Sequence, residues 1–193
     1  MIIVGLFCAV AYILSIQAST YNFENQLKAR ARENNKIAFN SVNRIVDNII
    51  VEDLNYTKYS IKDILTSHPK ILLNISHCQC DECIDHSLYF LSKYGSVVGK
   101  NNTMIIGNFN GQDNFLKFVQ FRKINTQIFN LDISSFKLPI DSLHLPYYIV
   151  LDSSLISQEI FVPSKYEPQK TSVFFDSIFT KYFRKGTSQY RIN

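Results

Sequence analysis

The sequence predicts an α/β fold: a central mixed β-sheet flanked by helices, preceded by a hydrophobic anchor and a helical stalk. Three observations carry this. Two continuous apolar runs of strand length, "KILLNIS" (Lys70 to Ser76) and "TMIIGNF" (Thr103 to Phe109), read as strands buried on both faces. Each is followed by a segment with apolar residues at three- and four-residue spacing, the period of a helix. Near the end, "LHLPYYIVLDSSLISQEIFV" (Leu143 to Val162) reads as two apolar strands joined around Asp152-Ser153-Ser154. Strands that alternate with helices build a partly parallel sheet, and the terminal pair adds antiparallel strands.

The elements follow in order. Ile2 to Ala18 carries no charge, and the next acidic residue is Glu24. This run of 17 residues sits at the short end of what spans a bilayer. No Lys or Arg precedes it, and Ser15-Ile16-Gln17-Ala18 is a poor cleavage site, so an uncleaved anchor over residues 1–20 is the first reading and a cleaved signal peptide the alternative. Residues 21–48 read as a helical linker or stalk: Phe23 and Leu27 are four apart, Val42, Ile45 and Ile49 continue the spacing, and no Pro or Gly interrupts. Lys28, Arg30, Arg32 and Lys36 follow the apolar run, so charge bias alone places the body in the cytoplasm.

The globular domain is expected over residues 49–183. Asp53-Leu54-Asn55 is a hairpin turn, and Ser60 with Asp63 forms a capping box for a short helix that Pro69 stops. After the strand Lys70 to Ser76, Ile84, Leu88 and Leu91 share one helix face, with Gly95 placed to close that helix. Gly111 to Asn125 is a second helix, Gln127 to Leu131 a short strand, and Ser172 to Phe183 a last amphipathic helix. Residues 184–193 form a polar tail. The net charge of +4 is modest, and its basic residues are scattered without an aromatic platform, which argues against nucleic acid as a partner.

The chemistry lies in "NISHCQCDECIDHSLYFL" (Asn74 to Leu91). Cys80-Asp81-Glu82-Cys83 is a C-x-x-C at a strand-to-helix junction. A thiol at a helix N-terminus meets unpaired N–H groups and the positive end of the helix dipole, which favour its thiolate. Cys80 is therefore the accessible, attacking thiol, and Cys83, one turn in, resolves the mixed disulfide. Asp81 and Glu82 put negative charge beside the thiols and oppose ionisation, which predicts a reducing or near-neutral pair. His77, if protonated, offsets them.

"VEDLNYTKYSIKDILTSHPKILLNISHCQCDECIDH" resembles the thioredoxin-like proteins of the TlpA/ResA group and the related redoxins, in which a "DLNGK-x-x-SLSDLKGK" hairpin and short helix precede a strand and then W-C-x-x-C. "LHLPYYIVLD" resembles the cis-proline loop and following strand of the same group, commonly "P-T-x-x-x-x-D". The likeness covers roughly Ile49 to Phe183. It implies a thiol-disulfide oxidoreductase acting on protein disulfides, with Cys80 and Cys83 as the redox pair, no cofactor, and an unidentified thiol as electron donor. It implies that Pro146 is a cis-proline and that Leu145 lays its backbone against a substrate strand. It also implies a membrane-anchored domain on the extracytoplasmic side, against the charge bias. Gln79 stands where the group has Trp, no Pro lies between the cysteines, and "KILLNIS" contains no carboxylate to shuttle protons.

Two other readings compete. A redox-inert module could hold a peptide with its Pro146 loop. A soft-metal clamp for copper or zinc could draw on Cys78, Cys80, Cys83 and either His77 or His144. Cys78, two residues before Cys80, is a bystander or an auxiliary thiol; His77 and His144 are its auxiliary neighbours.

Overall fold

The computed structural model describes residues 2–131 and 136–184; of residues 2–10 it describes the backbone alone. The expected polar tail lies outside the described residues from 185 onward. The chain opens with a 39-residue helix, α1 (Ile2–Asn40). Residues 11–26 of α1 are exposed, including Tyr12, Leu14 and Phe23. From Ala31 onward α1 packs on the domain: Ala31 and Ala38 are buried, and the Asn35 side chain pairs with the backbone of Val162 in both directions. Among the described residues no helix is long and apolar enough to cross a membrane. The expected anchor over residues 1–20 is thus not supported by the described residues; half of it, residues 1–10, has no described side chains.

A hairpin follows, β1 (Ile50–Glu52) and β2 (Lys58–Ser60), at the expected place. Asp53 builds its turn by accepting the backbone N–H groups of Asn55 and Thr57 at 2.8 and 2.9 Å, an Asx-type closure. The short helix α2 (Ile61–Ile64) starts at Ser60, but the expected capping box is absent. Ser60 Oγ instead donates to Asn48 Oδ1 at 2.7 Å, and that same oxygen accepts the Lys62 N–H of the first helical turn at 3.2 Å. Then come β3 (Lys70–Ser76), α3 (Asp81–Val98), β4 (Thr103–Asn108), α4 (Gln112–Arg122), β5 (Gln127–Leu131), β6 (Tyr147–Leu151), β7 (Glu159–Phe161) and α5 (Pro168–Ile178), which continues into one wider turn to Phe183.

Gly95 does not end α3. The helix runs on to Val98, and Gly99, at φ +93°, terminates it. Gly95 has a packing role: a Cβ there would sit 3.3 Å from Thr103 Oγ1, so its absence lets α3 lie close on β4.

The seven strands form one mixed sheet in the order β2-β1-β5-β4-β3-β6-β7. β3 pairs parallel with β4, and β4 with β5; the remaining pairings are antiparallel. Strand alternation divides the core. Ile71, Leu73 and Ile75 point to the layer of α3, α4 and α5, with Phe90, Phe115 and Phe175. Leu72 points to the opposite layer, where the end of α1, α2 and the segment Phe136 to Ile140 complete the packing. Both layers are needed because β3, β4 and β6 are apolar on both faces. The arrangement sends the C-terminal end of β3 to the middle of one sheet edge, between the end of β4 and the start of β6.

Candidate active site

β3 ends at Ser76, and three backbone and side-chain contacts shape the loop that follows. His77 N–H donates to the Asn108 carbonyl at 2.9 Å, which ties the loop to β4. Gln79 N–H donates to the Ser76 carbonyl at 3.1 Å, while Gln79 Oε1 accepts the Ser76 N–H at 3.0 Å. Gln79 thus closes the loop on itself at the position where the resembling group carries Trp.

Cys80 is the N-cap of α3. Its Sγ accepts the Cys83 N–H at 3.3 Å, and its Sγ lies 2.6 Å from Cys83 Sγ. Cys80 is exposed and Cys83 half-buried, as the one-turn offset predicts. Burial, reinforced by the Cys80 sulfur, pushes the Cys83 thiol up to about 11. Behind it, Ser87 Oγ donates to the Cys83 carbonyl at 2.7 Å, and the buried Tyr148 hydroxyl donates to the Ser87 carbonyl at 2.6 Å. This chain of contacts fixes the start of α3 against β6.

The two acidic residues between the cysteines do not stand alone. Asp81 pairs with Arg122 of α4, which also holds Asp85 at 2.9 Å and lies over the Phe118 ring at 4.6 Å. Glu82 pairs with Lys165 of the loop between β7 and α5, and this pairing holds its carboxyl below the usual range. The expected excess of negative charge beside the thiols is therefore offset by two cations from distant elements. Neither cation has a sequence signal. Lys165 is a single lysine in a loop between Pro163 and Pro168, and Arg122 is one of several basic residues on its helix. His86, one turn beyond Cys83, has its Nε2 buried without a hydrogen-bond partner among the described residues, and burial lowers its basicity.

The auxiliary residues gather elsewhere. His77, Cys78, His144 and Leu145 line a cavity of about 230 Å³ together with Asn74, Asp141 and Tyr147. Cys78 Sγ lies 3.0 Å from Ser76 Oγ. His77 Nδ1 is 3.2 Å from the Asn108 carbonyl, so His77 faces β4 rather than the redox pair. Tyr147 hydroxyl donates to Asp141 Oδ1 at 2.8 Å, and burial together with the Asp141 charge keeps that phenol neutral. Among the described residues, no three His, Cys, Asp or Glu side chains are gathered so as to hold a metal ion.

One expectation is overturned. No cis peptide bond occurs among the described residues, so the Leu145–Pro146 bond is trans. The chain reversal ahead of β6 is made by a 3-10 turn (Pro139–Leu143), capped by His144 at φ +50°. With the direction already set there, Pro146 enters β6 in the trans form that X-Pro bonds ordinarily prefer. Pro146 is buried, and Leu145 lines the cavity.

Neither a protein-family profile nor a curated protein sequence matches the chain. Solved structures do. The chain is similar to a thiol:disulfide interchange protein from a Bacteroides species (13% identity, 77% of this chain and 93% of that one, TM-score 0.55). It is also similar to the thioredoxin domain of a thiol-disulfide oxidoreductase from Bacteroides vulgatus (12% identity, 69% and 97%, TM-score 0.51).

The fold is thioredoxin-like.

A peroxidoxin from Mycobacterium tuberculosis shares it (13% identity, 71% and 97%, TM-score 0.50). In thioredoxin-like terms, the Cys80–Cys83 pair occupies the junction between β3, in the middle of the sheet, and the helix that follows it.

Proposed function

We propose that this protein is a thiol-disulfide oxidoreductase that reduces disulfides in other proteins. The observation that carries the reading is the contact between Cys80 Sγ and Cys83 Sγ, 2.6 Å apart at the start of α3. Two thiols at that separation can be joined by a small rotation, and the fold is one that hosts this chemistry in the neighbours named above.

The exchange runs in two steps. The Cys80 thiolate attacks one sulfur of a substrate disulfide. A Cys80–substrate bond forms, the substrate S–S bond breaks, and the departing sulfur leaves as a thiolate that takes a proton from solvent. Cys83 then loses its proton and attacks Cys80 Sγ. The Cys80–Cys83 disulfide forms, and the second substrate sulfur leaves as thiolate. Two electrons pass from the pair to the substrate, and an external thiol donor restores the dithiol.

We read the direction as reducing. A couple is strongly oxidising when a low-pKa thiolate stabilises its reduced form. Cys83 is pushed the other way, to about 11, so its ionisation adds no such stabilisation at neutral pH. The substrate approaches over the exposed Cys80, with Leu145 and Pro146 beside the neighbouring cavity. The uncharged run Ile2 to Ala18 supports attachment to a membrane, with the domain on the extracytoplasmic side where disulfides persist.

Alkylation trapping in thiol/disulfide buffers tests the reading. A Cys80–Cys83 disulfide that forms and reduces reversibly is expected, with reduction of insulin disulfides by the reduced protein. Thiols that never cycle would instead identify a redox-inert peptide-binding module. Membrane fractionation and accessibility of Cys80 to an impermeant thiol reagent in intact cells test the location.

A further inference from the structure

Glu82 sits between the two cysteines in the first turn of α3, and its carboxylate is held by Lys165. Lys165 comes from the loop between β7 and α5, 83 positions away. Lys165 is exposed, and its ammonium also lies 5.4 Å from the Tyr166 ring centre. Because Glu82 lies between the two cysteines in the first turn of α3, the ammonium it holds stands at the helix start that carries both thiols, and its charge acts there on Cys80, Cys83 and His86 as well as on its own neighbour Tyr166. The other cation near the helix start, Arg122, is committed to Asp81 and Asp85 on the side facing α4. The groups facing Lys165 are therefore Cys80, Glu82, Cys83 and His86 from α3 and its cap, and Tyr166 from its own loop.

We propose that Lys165 is a positioning residue for the thiol pair: its ammonium, tethered by Glu82, is the counter-charge for the single negative charge that Cys80 and Cys83 share during exchange. This rests on the oxidoreductase reading and adds a residue to it. The physical basis is the balance at the helix start. The helix N-terminus and Lys165 favour a thiolate there, while Glu82 and the half-buried setting of Cys83 oppose it. Glu82 acts in two ways. It holds Lys165 in place, and it cancels part of the Lys165 charge. Removing Lys165 leaves Glu82 uncompensated beside both sulfurs, so the effect exceeds loss of one cation. Because Lys165 is near the surface, added salt weakens its effect.

The test is the pH dependence of alkylation of the reduced full-length protein by iodoacetamide, with modification at Cys80 read by peptide mass spectrometry. Lys165→Gln is expected to slow alkylation near neutral pH by roughly threefold to tenfold and to move the profile to higher pH. Lys165→Arg is expected to stay within about twofold of the native protein. Glu82→Gln removes the negative charge beside both sulfurs while leaving an amide oxygen that can still accept from Lys165, and is expected to quicken alkylation by about twofold to fivefold; a slower Glu82→Gln protein overturns the proposal. A Lys165→Gln profile superimposed on the native one overturns the proposal, and so does a Lys165→Arg protein as slow as Lys165→Gln. Alkylation requires no substrate and no disulfide, so its outcome is separate from that of the cycling experiment that tests the oxidoreductase reading.

Discussion

Cys80 Sγ accepts the Cys83 N–H at 3.3 Å and lies 2.6 Å from Cys83 Sγ, so one sulfur is both the helix cap and half of the proposed redox pair. Capping sets the attacking residue at the exposed helix start, and the helical turn brings its partner into reach. Cys80→Ser is expected to lower insulin-disulfide reduction by more than about 100-fold, because the nucleophile is gone. Cys83→Ser is expected to accumulate a mixed disulfide at Cys80, visible by non-reducing electrophoresis. Cys78→Ser should keep more than roughly a third of the native rate, since Cys78 faces the cavity beside the pair. Equal losses in the Cys80 and Cys78 variants would reverse the assigned roles.

The Cys83 thiol makes the stability of the reduced protein depend on alkaline pH. Its value is raised in the folded state from 9.0 to about 11, by burial first and then by Cys80. The folded state therefore holds this proton more tightly than the unfolded chain. The resulting stabilisation is fully present below about pH 9 and is lost as pH rises through about 11. Thermal melts of the reduced protein against Cys83→Ser are expected to show a constant difference up to pH 9 and a shrinking one above it. A difference that stays flat across this window would contradict the burial of Cys83.

Tyr148 connects β6 to the helix start. Its hydroxyl is fully buried and donates to the Ser87 carbonyl at 2.6 Å, and burial keeps it un-ionised. Tyr148→Phe leaves that carbonyl without this donor and is expected to cost about 1–2 kcal/mol in denaturant unfolding. The stacking of Tyr148 with Phe174 and its edge contact with Phe175 are retained by Phe, so a larger loss would mean the packing was disturbed as well.

Gly107 lies in β4 opposite Ile75, where a Cβ would meet the Phe109 ring at 2.6 Å and Ile75 Cγ1 at 2.9 Å. Gly107→Ala is expected to destabilise by about 1–3 kcal/mol, read from the midpoint of denaturant unfolding. An unchanged midpoint would mean that the Phe109 ring has room to turn away.

Ser157 anchors the end of α1. Its buried hydroxyl donates to the Ser41 carbonyl at 2.6 Å and accepts the Arg44 N–H at 2.9 Å. Ser157→Ala is expected to cost about 1–3 kcal/mol, because two backbone groups lose their partner at once. The loss should be accompanied by faster proteolysis near Ser41, where the helix joins the domain.

Local patterns determined much of this protein. The apolar runs Lys70 to Ser76 and Thr103 to Asn108 are strands because burial on both faces admits no polar alternation, and that condition is visible residue by residue. The turn at Asp53 is equally local, since its side chain serves N–H groups two and four residues away. Cys80 as helix cap, with Cys83 one turn behind, follows from spacing alone. Gly95 was misplaced because a glycine that ends a helix and one that admits a neighbour look alike in sequence; only the position of Thr103 separates them.

Tertiary structure decided what required distant segments to meet. The pairing of Asp81 with Arg122 and of Glu82 with Lys165 joins residues 41 and 83 positions apart, and it gives each carboxylate between the cysteines a basic partner. The trans bond at Pro146 belongs to the folded chain, because an X-Pro bond differs little between its isomers until its surroundings choose one. The same holds for the separation of Cys78 from the pair: sequence sets three thiols within six residues, but the loop contacts of His77 and Gln79 turn Cys78 toward the cavity and leave Cys80 and Cys83 at the helix. Charge and hydrogen bonding act through space, so their partners become readable only once the sheet has brought the chain together.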